Sequence, residues 1–61
     1  MTNDRAEYAA KSILENNPDS HTIRIAIDNP NDCKPTMNAF KKLGCKVKLE
    51  KMGEIMIVTR P

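Results

Sequence analysis

The run Thr22-Ile23-Arg24-Ile25-Ala26-Ile27 alternates β-branched apolar residues with small or polar ones and stops at Asp28-Asn29-Pro30. A side-chain period of two with a turn signal behind it is the pattern of a half-buried strand. Ile23, Ile25 and Ile27 then bury on one face, while Thr22, Arg24 and Ala26 point to the other. Whatever covers the isoleucine face decides the fold.

Upstream, Asp4 and Glu7 have the spacing of a capping box, which predicts a helix over about residues 5–16. Ala6, Ala9, Ala10, Ile13 and Leu14 form one stripe at the helical period, and Glu7, Lys11 and Glu15 line the opposite side. Pro18 ends that helix in a turn. Downstream, Asp32 predicts an N-cap for a second helix over roughly 33–43, with Pro35 tolerated in its first turn and Gly44 closing it. Cys33, Met37 and Phe40 share its apolar face, and Lys41 and Lys42 complement the dipole at its end. From Cys45 the period returns to two, with Cys45, Val47 and Leu49 inward and Lys46, Lys48 and Glu50 outward. Met52-Gly53 predicts a tight turn, and 54–59 predicts the returning strand of a hairpin.

The expectation is a single α+β domain over 1–61, a two-layer sandwich of order α-β-α-β-β with two helices on one face of a three-stranded mixed sheet. The other face is left open. On this reading it carries Arg24, Lys46, Lys48, Glu50, Met56 and Val58. Lys46, Lys48 and Lys51 give the strand beginning at Cys45 the charges that protect a sheet edge, whereas Ile55-Met56-Ile57-Val58 has none. The last strand is therefore expected to be central in a monomer or, if it lies at a boundary, to pair with a second copy or a partner's strand.

Composition narrows the function. A chain of 61 residues with only Tyr8 and Phe40 aromatic, and with Met1, Met37, Met52 and Met56 as soft apolar volume, suggests no deep small-molecule pocket. A net charge of +2 falls short of the excess of a dedicated nucleic-acid binder. No apolar run is long enough for a signal peptide or a membrane span, which points to the cytoplasm. Cys33 and Cys45 do not have metal-ligand spacing and His21 stands alone in a turn, so neither a metal nor a cofactor is implied. There is no Gly-rich phosphate loop and no Ser-His-Asp set, so no catalytic residue is assigned. Asp28 reads first as a turn residue. Cys33, at a predicted helix start beside Lys34, is the candidate thiol, although its stripe is that of a small core residue.

Ile25-Ala26-Ile27-Asp28-Asn29-Pro30, a helix ending at Leu43-Gly44, then Val47-Lys48-Leu49-Glu50, Ile55-Met56-Ile57-Val58 and a closing Arg60 together resemble the SirA-like family of sulfur carriers typified by TusA. From about Asp4 onward the chain can be laid on that family's last five elements. The resemblance implies a β-α-β-α-β-β sandwich and a persulfide held by the cysteine of a Cys-Pro-x-Pro motif at the first helix. Thr2-Asn3-Asp4-Arg5 stands in that place here, with no cysteine, proline or preceding strand, so the carrier residue transfers to no position. The expected function is that of a small non-catalytic interaction or regulatory protein. It binds another protein, or itself, through the open face or an edge, with Arg24, Lys46, Lys48, Met56 and Val58 in contact. The alternatives are nucleic-acid binding through Arg24, Lys46 and Lys48, and sulfur transfer through Cys33.

Overall fold

A computed structural model describes residues 2–61; Met1 lies outside the described residues. Helix α1 (Asn3–Asn16) leads into strand β1 (Thr22–Ala26), helix α2 (Cys33–Lys42) and the hairpin of β2 (Lys46–Glu50) and β3 (Ile55–Thr59). A short 3-10 turn occupies Pro30–Asp32, and a left-handed turn occupies Lys51–Gly53.

α1 starts earlier than a capping box at Asp4 predicts. Thr2 is the N-cap, and its Oγ1 accepts the Arg5 N–H at 3.2 Å. Asp4 thus sits inside the first turn, where a carboxylate complements the helix dipole. Ala6 and Ala10 are buried, and their small side chains let α1 pack closely on the rest of the core. Glu7 does not simply face solvent: it accepts from Lys42 Nζ at 2.7 Å and joins α1 to the end of α2. That hydrogen bond, then the charge of Lys42, lowers the Glu7 carboxyl below its usual range and raises Lys42 in turn. The pair therefore supports the fold above the ordinary carboxylate pKa and loses its effect as pH falls through the lowered value of Glu7. On an exposed surface the contribution is weak and screened by salt.

At the start of α2, Asn29 rather than Asp32 supplies the side-chain turn bond, its Oδ1 accepting the Asn31 N–H at 3.0 Å, while Asp32 makes no side-chain cap. At its end, Gly44 takes φ +85°, Cys45 N–H reaches Phe40 O at 3.0 Å and Gly44 N–H reaches Lys41 O at 3.0 Å. This paired closure is a Schellman motif, accompanied by apolar contact between its two ends, here Phe40 and Cys45 of one core cluster. Phe40, Met56 and Val58 form the fully buried centre of that core, and Ile13, Leu14, Ile25, Ile27 and Val47 pack around it. Among the described residues no helix is long and apolar enough to cross a membrane.

The strand order is β1-β3-β2, and both pairings are antiparallel, so the sheet is not mixed. The crossover through α2 leaves a gap of one strand between β1 and β2. β3 fills it, running opposite to both, and an uncharged strand thereby becomes central. Pairing of a second copy on 55–58 is thus closed off; the free edges are β1 and β2.

The hairpin connection carries strain. Lys51, Met52 and Gly53 have φ of 51°, 58° and 91°, and Glu54 N–H closes onto Lys51 O at 3.2 Å. Side chains in this left-handed region cost roughly 1–2 kcal/mol each, and glycine costs nothing. Met52 is fully exposed, so no packing offsets its cost. Met52→Asn, which tolerates this conformation beside Gly53, is expected to raise stability by about 0.5–1 kcal/mol in urea unfolding. A lower midpoint would contradict the strain assignment.

Candidate interaction face

Residues directly opposite in an antiparallel ladder share a face, so the register sorts the sheet into rows. Toward the helices lie Ile23, Val58 and Val47, then Ile25, Met56 and Leu49. Away from them lie Thr22, Thr59 and Lys46, then Arg24, Ile57 and Lys48, then Ala26, Ile55 and Glu50. Burial follows the same division, with Ile23, Met56 and Val58 buried while Thr22, Arg24, Ala26, Lys46, Lys48 and Glu50 are exposed.

Three of the expected contact residues, Arg24, Lys46 and Lys48, are therefore brought together on the open face. Two are not. Met56 and Val58 have 0% exposure and belong to the core, and no partner can touch them without opening the fold. Ile55 and Ile57, half-buried on the central strand, take their place. The cause is register: β3 is apolar at four successive positions, so its own pattern has no phase, and only pairing with Leu49 and Ile25 turns Met56 inward. The hairpin held a usable signal. Counting outward from a turn at Met52-Gly53 pairs Leu49 with Met56 and Val47 with Val58, and both β2 residues read as inward.

The middle row has a definite chemistry. Ile57 lies at the centre with Arg24 on one side and Lys48 on the other. Opposed Cβ atoms in such pairs are about 4.5–5.5 Å apart, so the methylene stems of both cations can lie against the isoleucine while their charged ends reach outward. Lys46 adds a third cation one row away, and Glu50 is the carboxylate of the last row. The face thus offers a short aliphatic strip between positive margins. Tyr8 is exposed but belongs to α1, and Phe40 is in the core, so neither gives this face a stacking platform.

Cys33 lies elsewhere. It is half-buried at the first turn of α2 and packs against the core cluster, with its Sγ 3.6 Å from where a Cβ on Gly53 would sit. It also borders an open cleft at the end of the sandwich with Ile27, Pro30, Leu49 and Met52. The helix layer stops short of that end, which leaves the inward-facing Leu49 40% exposed. Cys45 is buried, and both thiols are free of disulfides. No family model, curated protein or solved structure matches this chain.

Proposed function

We propose that this chain is a small non-catalytic interaction module that holds an acidic, aliphatic-bearing segment of a protein partner on its open sheet face. The observation that carries the reading is the row Arg24, Ile57 and Lys48, an aliphatic side chain between two cations. Complementary charge gives such a surface its register and selectivity, and the isoleucines give it apolar area to bury. A nucleic acid would be met by the same cations but would find no aromatic side chain among those of the face to stack on, which favours protein.

Selection of displayed random peptides on the immobilised chain tests this. Enriched sequences are expected to carry Asp or Glu on both sides of an aliphatic residue, and Arg24→Glu with Lys48→Glu is expected to weaken the best of them about tenfold or more. Enrichment of basic peptides, or equal binding by the double variant, would remove the reading. The competing outcome is micromolar affinity for random single-stranded RNA that falls steeply between about 50 and 200 mM salt, which would assign the cations to phosphates instead.

A further inference from the structure

We infer that the open sheet face receives a single amphipathic α-helix of a partner protein, about three turns long, laid along β3 with acidic residues over Arg24, Lys46 and Lys48. The inference rests on the docking-face reading and deepens it, by naming the kind of segment that the face holds and the way it lies.

Backbone chemistry selects the helix. β3 is hydrogen-bonded to β1 on one side and to β2 on the other, so its N–H and C=O groups are used within the sheet. The face above it is made of side chains alone, and the middle row is an isoleucine between an arginine and a lysine. Arg24 and Lys48 are donors without an acceptor. An extended segment lying on that strip would press N–H groups against aliphatic carbon and cations, where none finds an acceptor, and burying them so is costly. A helix has already paired its own.

The dimensions agree. Neighbouring strands stand about 4.8 Å apart, which puts β1 and β2 roughly 10 Å from each other, the width of one helix. The strands have 5 residues each. At about 3.4 Å per residue they run roughly 17 Å, which about eleven helical residues span. Along β3, Ile55 and Ile57 both point outward, about 6.8 Å apart, close to the roughly 6 Å rise between helix positions i and i+4. One helix thus covers the face and sets two aliphatic side chains on two isoleucines.

Charge fixes the pattern around that stripe. Lys46 lies in the row of Thr59, Arg24 and Lys48 in the row of Ile57, and Glu50 in the row of Ile55, all four of them exposed. The face is positive around Ile57 and Thr59 and negative beside Ile55. The complementary helix carries acids on both flanks of the aliphatic residue over Ile57, and a cation beside the one over Ile55. A contact of this size buries less than the roughly 1,200 Å² of a standard interface, so the binding is weak and reversible.

Synthetic peptides of about fifteen residues with blocked ends, added to the isotope-labelled chain up to about 1 mM, test this by amide chemical shifts. The first is alanine-rich and carries leucines at i and i+4, with Glu on either side of one and Lys beside the other. The second replaces a central alanine on its outer side with proline, and the third keeps the composition but sets the leucines at i and i+2, the extended pattern. The first is expected to shift the amides of β3, to gain helical ellipticity as it binds and to bind at least about tenfold more tightly than either of the others. Glu50→Lys is expected to weaken it about fivefold, and exchanging the peptide's Lys for Glu to restore the loss. Equal binding by the proline or the extended peptide, weakened by Arg24→Glu with Lys48→Glu, would leave the docking face standing and remove the helix. Binding by none of the three overturns the helix, and the docking face with it if selection of displayed peptides also enriches nothing acidic. Shifts of the same amides with the concentration of the chain alone would give the face to a second copy instead.

Discussion

Met56→Ala is expected to cost about 2–5 kcal/mol, the range for emptying a filled core site, whereas Ile57→Thr, one residue on, is expected to cost under about 1 kcal/mol. Met56 is fully buried against Ile25 and Leu49, with the helices above it. Ile57 is half-buried on the open face, and threonine keeps its β-branched shape on a central strand. At roughly 0.05–0.15 kcal/mol per residue, a chain of this length has on the order of 3–9 kcal/mol of stability in total. The first substitution therefore removes much of it, and the variant is expected to be partly unfolded at 37 °C. Urea unfolding of both variants beside the wild type measures the contrast. Equal losses, or a larger loss at Ile57, would mean that β3 presents its other face to the helices and that the docking row is wrongly composed.

That contrast also marks what could be read from the chain. β1 and β2 announce their faces because apolar and polar residues alternate, as in Ile23, Arg24 and Ile25 or Val47, Lys48 and Leu49, and both orientations hold in the structure. The helices announce theirs through Ala6 and Ala10 and through Ala39 and Phe40. β3 has no alternation, and its phase comes from partners distant in sequence. The same holds for strand direction: a chain that crosses over through a helix can return beside its first strand or leave a gap, and the choice depends on where the hairpin's second strand fits best. The uncharged 55–58 run was the clue to a central β3, because a strand flanked on both sides needs no protecting charge. The cations of the open face were legible for the same reason as the strands that carry them; the isoleucines between them were not.

Charge placement shows a related limit. Lys41 and Lys42 lie in the last turn of α2 and can be recognised as dipole partners from spacing alone. α1 has no basic residue in its last turn. Its counter-charge arrives from the other end of the chain, a pairing no local pattern could reveal. Nothing in the sequence around Asn16 and Asn17 indicates that the helix end waits for a residue more than forty positions away.

That residue is Arg60, and Arg60→Ala is expected to destabilise the domain by about 2–3 kcal/mol, the scale of hydrogen bonds made by a charged donor that cannot be replaced by water without rearrangement. Its Nη2 donates to Leu14 O and to Asn17 O at 2.6 Å each, and its Nε donates to Ser20 O at 2.8 Å. Two of these acceptors lie at the C-terminal end of α1, where the dipole is negative, and each also accepts a backbone N–H at 3.2 Å, Leu14 O from Asn17 and Asn17 O from Ser20, so Arg60 adds a charged donor to both. The third lies in the turn entering β1, and the backbone N–H of Arg60 binds His21 O in the same stretch at 2.8 Å. One side chain thus closes the helix, fixes the turn and anchors the end of β3 to both. The planar fork matters as well as the charge, because an ammonium cannot address three carbonyls spread over Leu14, Asn17 and Ser20 in the same way. Arg60→Lys is accordingly expected to recover less than half of the loss. Hydrogen exchange should report the cause: in Arg60→Ala, amides in the last turn of α1 and in β1 lose protection before those of α2, whose own closure at Gly44 is independent of Arg60. An alanine variant within about 0.5 kcal/mol of the wild type, the usual range for a neutral surface change, would show that these three bonds do not hold the helix end in solution.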